Sequence, residues 1–207
     1  GTAALREGQT PTAGRWRVEV ERLASAQTSA SQGFASAQAA IPTGAVRVTV
    51  DGTTHELSLD EGNATLEGLA QALDGVEGLS AYVMQTGDSA APFRLIVRGE
   101  VTGANGSFEL DTSELGDGDD VPAFTATAAA ADGLARVDGV TVYTGDNVLR
   151  AVPGVDLTLD SVGTTTLEVR EDRGALADLM ERFVGAYNSA RAVAGKHSVK
   201  NDSLGIE

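Results

Sequence analysis

Few residues in this sequence have both the type and the spacing that acid–base, nucleophilic or metal chemistry requires. The two histidines, His55 and His197, are far apart in the chain, and neither has a second histidine at ligand spacing. Cysteine is absent, which excludes disulfides, thiolate metal sites and a cysteine nucleophile. We therefore predict no catalytic residue, no metal site and no cofactor, and we interpret both histidines as solvent-exposed.

Carboxylates are abundant, and a dense group of them lies in the loop at 116–120. Asp117, Asp119 and Asp120 superficially resemble a calcium loop, but the glycine at the sixth position and the glutamate at the twelfth position of an EF-hand are missing. The glycine-containing stretches at 116–118 and 195–198 also lack the order of a phosphate-binding loop. These residues therefore indicate a solvated acidic segment.

The charge balance restricts the classes of partner. The chain has 207 residues, with 15 Lys+Arg against 30 Asp+Glu and a net charge of −15. Nucleic acids and anionic membranes are bound through clustered basic side chains, so we predict neither as a partner. No run of about 18 apolar residues is present, which predicts no membrane insertion. Gly1 and Glu207 look like cut ends, so a targeting signal could have been removed.

The elements that would position a site are mostly strands. Residues 15–23 alternate apolar and charged side chains, which is typical of a half-buried strand. Trp16 lies on the apolar face of this strand and is interpreted as a core or interface anchor, with a carbohydrate platform as the alternative. The Ala/Ser/Gln-rich stretch at 24–40 fits either a weak helix or an extended loop.

A β-β-α-β-β unit follows. Asp51-Gly52 joins the predicted strands 46–50 and 53–59, and this dipeptide is a strong signal for a two-residue hairpin turn. Four apolar residues at i, i+3, i+4 and i+7 predict a helix from Leu66 to Leu73, capped by Asn63 or Thr65 before it and stopped by Gly75. A second hairpin, at 79–84 and 93–97, would complete a small antiparallel sheet with the helix lying on it.

Further strands and one strong helix complete the chain. Strands are predicted at 124–130, at 135–137 and 140–143 around Asp138-Gly139, and at 155–159 and 165–169. From residue 172 to near Gly195, apolar side chains recur with the helical period. They form a stripe suited to a stalk that needs a helical partner: Leu176, Leu179, Met180, Phe183, Val184 and Tyr187.

Three stretches in order resemble the flagellar filament capping protein, the hook-associated protein 2 family. The first is 18–36, and the second is 63–73. The third and most specific begins at 137–140, contains Val-Pro-Gly-Val at 152–155, and ends in Phe-Val-Gly-Ala-Tyr-Asn at 183–188. The order and spacing match across about 15–191, nearly the whole chain.

The resemblance implies a non-enzymatic, mostly β member of the α+β class. It implies two small antiparallel β head domains, one with a packed helix and inserted in the other, plus part of a coiled-coil leg. The expected limits are 1–14 and 172–207 for the leg, 15–41 and 126–171 for the outer head domain, and 42–125 for the inserted one. Strand 16–23 is expected to pair with strand 164–170. Leu176, Leu179, Phe183 and Tyr187 would pack in the leg, partly on helices beyond this chain, or alternatively only within their own domain.

The resemblance also implies location and partners. Subunits of this family are exported by the flagellar secretion apparatus, with the help of an export chaperone, and act outside the cell at the filament tip. There they form a ring-like homo-oligomer that promotes flagellin polymerisation, and some members contact host mucin. The alternatives are a β-domain adhesin that binds mucus or glycans, and a related hook-junction protein or flagellin variable domain.

Overall fold

A computed structural model describes residues 1–116, 118–170 and 173–201 of the chain, with the side chains of the final helix described over 178–192. These residues are mostly β, and they form two α-helices and four small antiparallel sheets. The chain divides into a compact unit, Gly1–Leu167, and a second unit that begins at Glu168. The expected fold class is therefore confirmed.

The strands and helices follow one another in this order. The strands are β1 (Thr2–Leu5), β2 (Gly14–Arg22), β3 (Thr28–Ser31), β4 (Gly44–Val50), β5 (Thr53–Leu59), β6 (Leu79–Gln85), β7 (Phe93–Gly99), β8 (Phe108–Asp111), β9 (Phe124–Ala128), β10 (Gly133–Val137), β11 (Val140–Thr144), β12 (Val148–Leu149), β13 (Val155–Thr158) and β14 (Gly163–Val169). The helices are α1 (Leu66–Asp74) and α2 (Arg173–Asn201).

Both Asp-Gly hairpins form as predicted. Asp51 and Gly52 have φ of 49° and 74°, and Asp138 and Gly139 have φ of 49° and 86°. A two-residue turn with both central residues at positive φ matches the twist of the strands it joins, and Asp-Gly tolerates that conformation well. These turns set the registers Val50↔Thr53 and Val137↔Val140.

Helix α1 begins and ends at the predicted residues. The hydroxyl of Thr65 accepts a hydrogen bond from the Gly68 amide at 3.0 Å, which satisfies one free N–H of the first turn. Gly75 is the C-cap, and its N–H donates to the carbonyls of Gln71 and Leu73. Four apolar side chains of this helix are buried: Leu66, Leu69, Ala70 and Leu73.

The buried face of α1 packs into one hydrophobic cluster with strands of two sheets, ordered β5-β4-β8 and β6-β7-β3-β9. The expectation of a single sheet beneath the helix is therefore wrong. The two hairpins each pair with a distant strand, β4 with β8 and β7 with β3, and not with each other. We call this part of the first unit, residues 26–130, the second lobe.

Residues 1–25 and 131–167 form the first lobe, from sheets ordered β1-β13-β12 and β11-β10-β2-β14. The expected pairing of strands 16–23 and 164–170 is confirmed, because β14 is the neighbour of β2. The stretch 1–14, expected to belong to the leg, contains β1, which pairs with β13 through Thr2↔Thr158. β1 has only four residues, Thr-Ala-Ala-Leu, and they show no alternation of apolar and polar side chains that would predict a strand.

A continuous two-stranded ribbon runs through both lobes. It starts at Val18↔Val137 in β2 and β10, passes the isolated bridge Ser25↔Ala131, and ends at Ser31↔Phe124 in β3 and β9. The stretch 24–40 is therefore extended, the second of the two structures considered for it. Because β3 also pairs with β7, the residues after Ala26 contribute to the second lobe.

Helix α2 forms the second unit. It was predicted to end near Gly195 but continues to Asn201, because a single glycine within a helix is tolerated at about 1 kcal/mol. No helix among the described residues is long and apolar enough to cross a membrane.

Candidate assembly surfaces

The predicted stripe of α2 is exposed. The exposed fractions of Leu179, Phe183 and Tyr187, which follow one another at i+4 spacing, are 63%, 67% and 60%. Met180 and Val184 lie beside them and are also exposed. The side chain of Leu176, the other predicted member of the stripe, lies outside the described residues.

Such a surface has one evident physical use. Full burial of one large apolar side chain contributes about 1.5–3 kcal/mol relative to leaving it exposed. The polar side chains Asp178, Glu181 and Arg182 fall between the stripe positions, so α2 is amphipathic over 178–187. A helix of this kind is typical of one that packs against another helix.

The first lobe contains a tightly bonded turn at residues 144–150, which we call the hub turn. The carboxylate of Asp146 accepts hydrogen bonds from the Thr144 hydroxyl at 2.8 Å, the Val148 amide at 3.1 Å and the Arg150 guanidinium at 2.6 Å. The hydrogen bond from Arg150 is the largest of the effects that hold the pKa of Asp146 well below its usual range. Asp146 thus organises the turn as an anion.

Replacing Asp146 with asparagine should lower the melting temperature at neutral pH by an amount that corresponds to less than about 1 kcal/mol, because this ion pair is exposed. The folded-state pKa is lowered, so the stabilising effect is complete above the unfolded pKa and is lost as pH falls through the folded pKa. Thermal denaturation of both proteins from about pH 7 down to about pH 2 should show the difference narrowing below about pH 4, the ordinary pKa of an aspartate. Asp120→Asn, on an exposed side chain, is the control, and a difference independent of pH would contradict this role.

Asn147 of the hub turn holds a distant segment by its side-chain amide. Its Oδ1 accepts the Ala24 N–H at 2.7 Å, and its Nδ2 donates to the Ala24 carbonyl at 3.0 Å. Asn63 uses its amide in the same way but locally, accepting the Asp60 N–H at 2.7 Å. Both asparagines follow a Val-Asp-Gly sequence, at 50–52 and at 137–139.

The residues examined for chemistry do not converge on a site. His55 is half-buried, not fully exposed as predicted, since it lies in β5 opposite Val48. Asp119 and Asp120 are exposed, and Asp117 lies outside the described residues, as does the side chain of His197. No group of three or more metal-ligating side chains occurs in the described part of the chain.

Trp16 and the exposed aromatic residues do not make a binding platform. Trp16 is half-buried, and its ring lies over Gly14, where an added Cβ would come within 2.9 Å of it. Tyr143 is 66% exposed in the first lobe and Tyr82 is 50% exposed in the second. Sequence reasoning missed these two tyrosines, because strand alternation does not tell which face of a sheet is covered.

Comparisons with known proteins point to one family. The family model described as "Flagellar hook-associated protein 2 C-terminus" matches residues 130–203. A comparison with curated protein sequences finds no match. Among solved structures, the flagellar cap protein FliD from Bdellovibrio bacteriovorus is 28% identical, covering 77% of this chain and 95% of that chain with a TM-score of 0.68.

Two other structures share the fold. FliD (HAP2) from Pseudomonas aeruginosa PAO1 is 24% identical and covers 100% of this chain and 97% of that chain, with a TM-score of 0.78. The D2-D3 domains of the flagellar cap protein FliD from Escherichia coli are 21% identical, with 83% and 94% covered and a TM-score of 0.69. The family-model match over residues 130–203 and the Bdellovibrio likeness identify the flagellar hook-associated protein 2 family, structural proteins of the flagellar filament tip, as the family that this chain resembles.

Proposed function

We propose that the protein acts in the filament cap as a ring-like homo-oligomer and promotes the polymerisation of flagellin. The observation that carries this proposal is the exposed apolar stripe of α2, together with the family. Three neighbouring side chains of the stripe are each at least 60% exposed: Leu179, Phe183 and Tyr187. Burial of such a stripe against helices of the leg, in coiled-coil fashion, would supply the free energy for assembly.

The proposal assigns different tasks to the two units. The lobes would be the two head domains, with the second lobe inserted in the first, and α2 would belong to the leg. The net charge of −15 keeps unassembled subunits apart, so that association depends on the specific apolar stripe. The partners in this proposal are other copies of the protein, the incoming flagellin subunits and a chaperone of the flagellar export apparatus.

Deleting the gene from the bacterium that encodes the chain should leave exported flagellin in the culture medium and should shorten or abolish the filaments. The physical reason is that subunits leaving an uncapped tip diffuse away before they are incorporated. Immunoblotting of the medium for flagellin and electron microscopy of filament length are the measurements.

The control is the same strain with the intact gene restored, which should recover full-length filaments. A deletion strain that grows filaments of normal length without released flagellin would show that the proposed function is wrong.

A further inference from the structure

The two lobes are joined by the ribbon, and a two-stranded ribbon by itself is easily twisted and bent. The ribbon is irregular where it passes between the lobes. Its register shifts between Thr28 and Ser29 and again between Leu134 and Ala135. Between these points the two backbones pair at Ser25↔Ala131, where each N–H donates to the opposite carbonyl. Two side chains also link the strands here, since the Ser25 hydroxyl donates to the Ala129 carbonyl and the Arg22 guanidinium to the Asp132 carbonyl. A ribbon of this kind needs another connection to fix the angle between the lobes.

Such a connection is present at residues 102–104 of the second lobe, which we call the strut. The Thr102 hydroxyl donates to the Gly145 carbonyl at 2.5 Å, and the Ala104 N–H donates to the Asp132 carboxylate at 2.7 Å. The Gly103 N–H donates to the Ser25 carbonyl at 3.2 Å. Every one of these bonds crosses from the second lobe to the first.

The strut also packs so closely that only glycine fits at its centre. Gly103 has φ of 92°, a conformation that residues with a Cβ rarely adopt. A Cβ at this position would lie 2.7 Å from the Gly145 Cα and 2.9 Å from the Asp132 carboxylate oxygen. The backbones of the two lobes are therefore in direct contact at Gly103 and Gly145.

The first lobe holds its side of this contact firmly. Gly145 belongs to the hub turn, where the Asp146 carboxylate accepts the Val148 N–H and the Asn147 side-chain amide accepts the Ala24 N–H. The Asn147 side-chain amide hydrogen-bonds both the N–H and the carbonyl of Ala24. Ala24 is 8% exposed and directly precedes Ser25, which forms the bridge to Ala131. The strut bonds to Ser25 and Asp132 therefore end on the ribbon, and its contacts with Gly145 end off the ribbon, on the hub turn.

We propose that the strut locks the angle between the lobes, so that the head moves as one rigid piece. Two strands alone define an axis about which the lobes can bend, and the strut adds a third point away from that axis. The functional consequence is a fixed position of each lobe relative to the other. Surfaces on both lobes are presented to neighbouring molecules at one fixed spacing, with little conformational entropy to lose on assembly. This inference concerns the mechanics of the head and does not depend on the cap function.

The absence of cysteine allows a direct test by spin labelling. Labels at Thr141→Cys in the first lobe and Ser58→Cys in the second, both exposed positions, report the distance between the lobes by double electron–electron resonance. The parent should give one narrow distance distribution. The variant Thr102→Val with Asp132→Ala removes two strut hydrogen bonds and should broaden that distribution.

A conservative double variant distinguishes loss of the strut hydrogen bonds from a general effect of substituting these two residues. Thr102→Ser with Asp132→Asn keeps a hydroxyl donor and a side-chain acceptor and should restore the narrow distribution. Hydrogen exchange at Leu69 and Val18, both fully buried, checks that each lobe remains folded. If the double variant unfolds, Thr102→Val alone is used, which keeps the side-chain shape. A broad distribution in the parent, or an unchanged narrow one in the folded variant, would overturn the proposal.

Discussion

Replacing Leu69 with alanine is expected to lower the free energy of unfolding of the second lobe by about 2–5 kcal/mol. Leu69 is fully buried in the centre of α1 and packs in the cluster that joins this helix to both sheets of the lobe. The loss combines the transfer free energy of the removed atoms with that of the cavity they leave. Urea denaturation followed by circular dichroism measures it, read from the shift of the midpoint at constant slope.

Leu179→Ala is the matched control, since it makes the same substitution on a helix at a side chain that is 63% exposed. It should change the free energy of unfolding by less than about 0.5 kcal/mol. If Leu69→Ala and Leu179→Ala change the free energy of unfolding by the same small amount, the packing of α1 does not stabilise the lobe.

The second large effect is expected on assembly. Leu179→Gln with Phe183→Gln makes the stripe of α2 polar while keeping residues that favour a helix. If one such side chain contributes about 2 kcal/mol to a helix interface, the loss of both weakens association by more than about 30-fold. Light scattering of the full-length protein over a range of concentrations gives the mass of the assembly and its dissociation.

Asp178→Gln with Arg182→Gln places the same residue type on the polar positions of α2 and should leave the assembly unchanged. The melting temperature of this 207-residue chain should be the same for both variants, since the side chains of the stripe are exposed in it. Unaltered assembly of the Leu179/Phe183 variant would mean that the stripe is not an interface between copies.

Elements specified by nearby residues were predictable from the sequence. The Asp-Gly turns and α1 depend on a few adjacent positions, including the cap hydroxyl of Thr65 and the stop at Gly75. The amphipathic stripe of α2 was equally clear, because periodicity within one helix needs no distant partner. The family resemblance also predicted that β2 and β14 are neighbouring strands of one sheet.

Pairings between distant residues were not predictable in this way. Neither the distribution of the two hairpins over separate sheets nor the pairing of β1 with β13 leaves a local pattern. The strut and the Asn147 amide contact were missed for the same reason. Single polar residues and a glycine make these contacts, and such residues also occur in ordinary surface turns.

The ribbon also determines the order in which the chain can fold when its amino end emerges first. The partner of Val18 is Val137, so β2 stays unpaired on the β10 side until the whole second lobe has emerged. That lobe contains two hairpins and one helix between them, and its pairings between distant strands, such as Ser31↔Phe124, close shorter loops than Val18↔Val137. Local structure and shorter loops form faster than pairings that must close a long loop. We therefore expect the second lobe to fold first and to bring the two strands of the ribbon together, acting as an internal template for the first lobe.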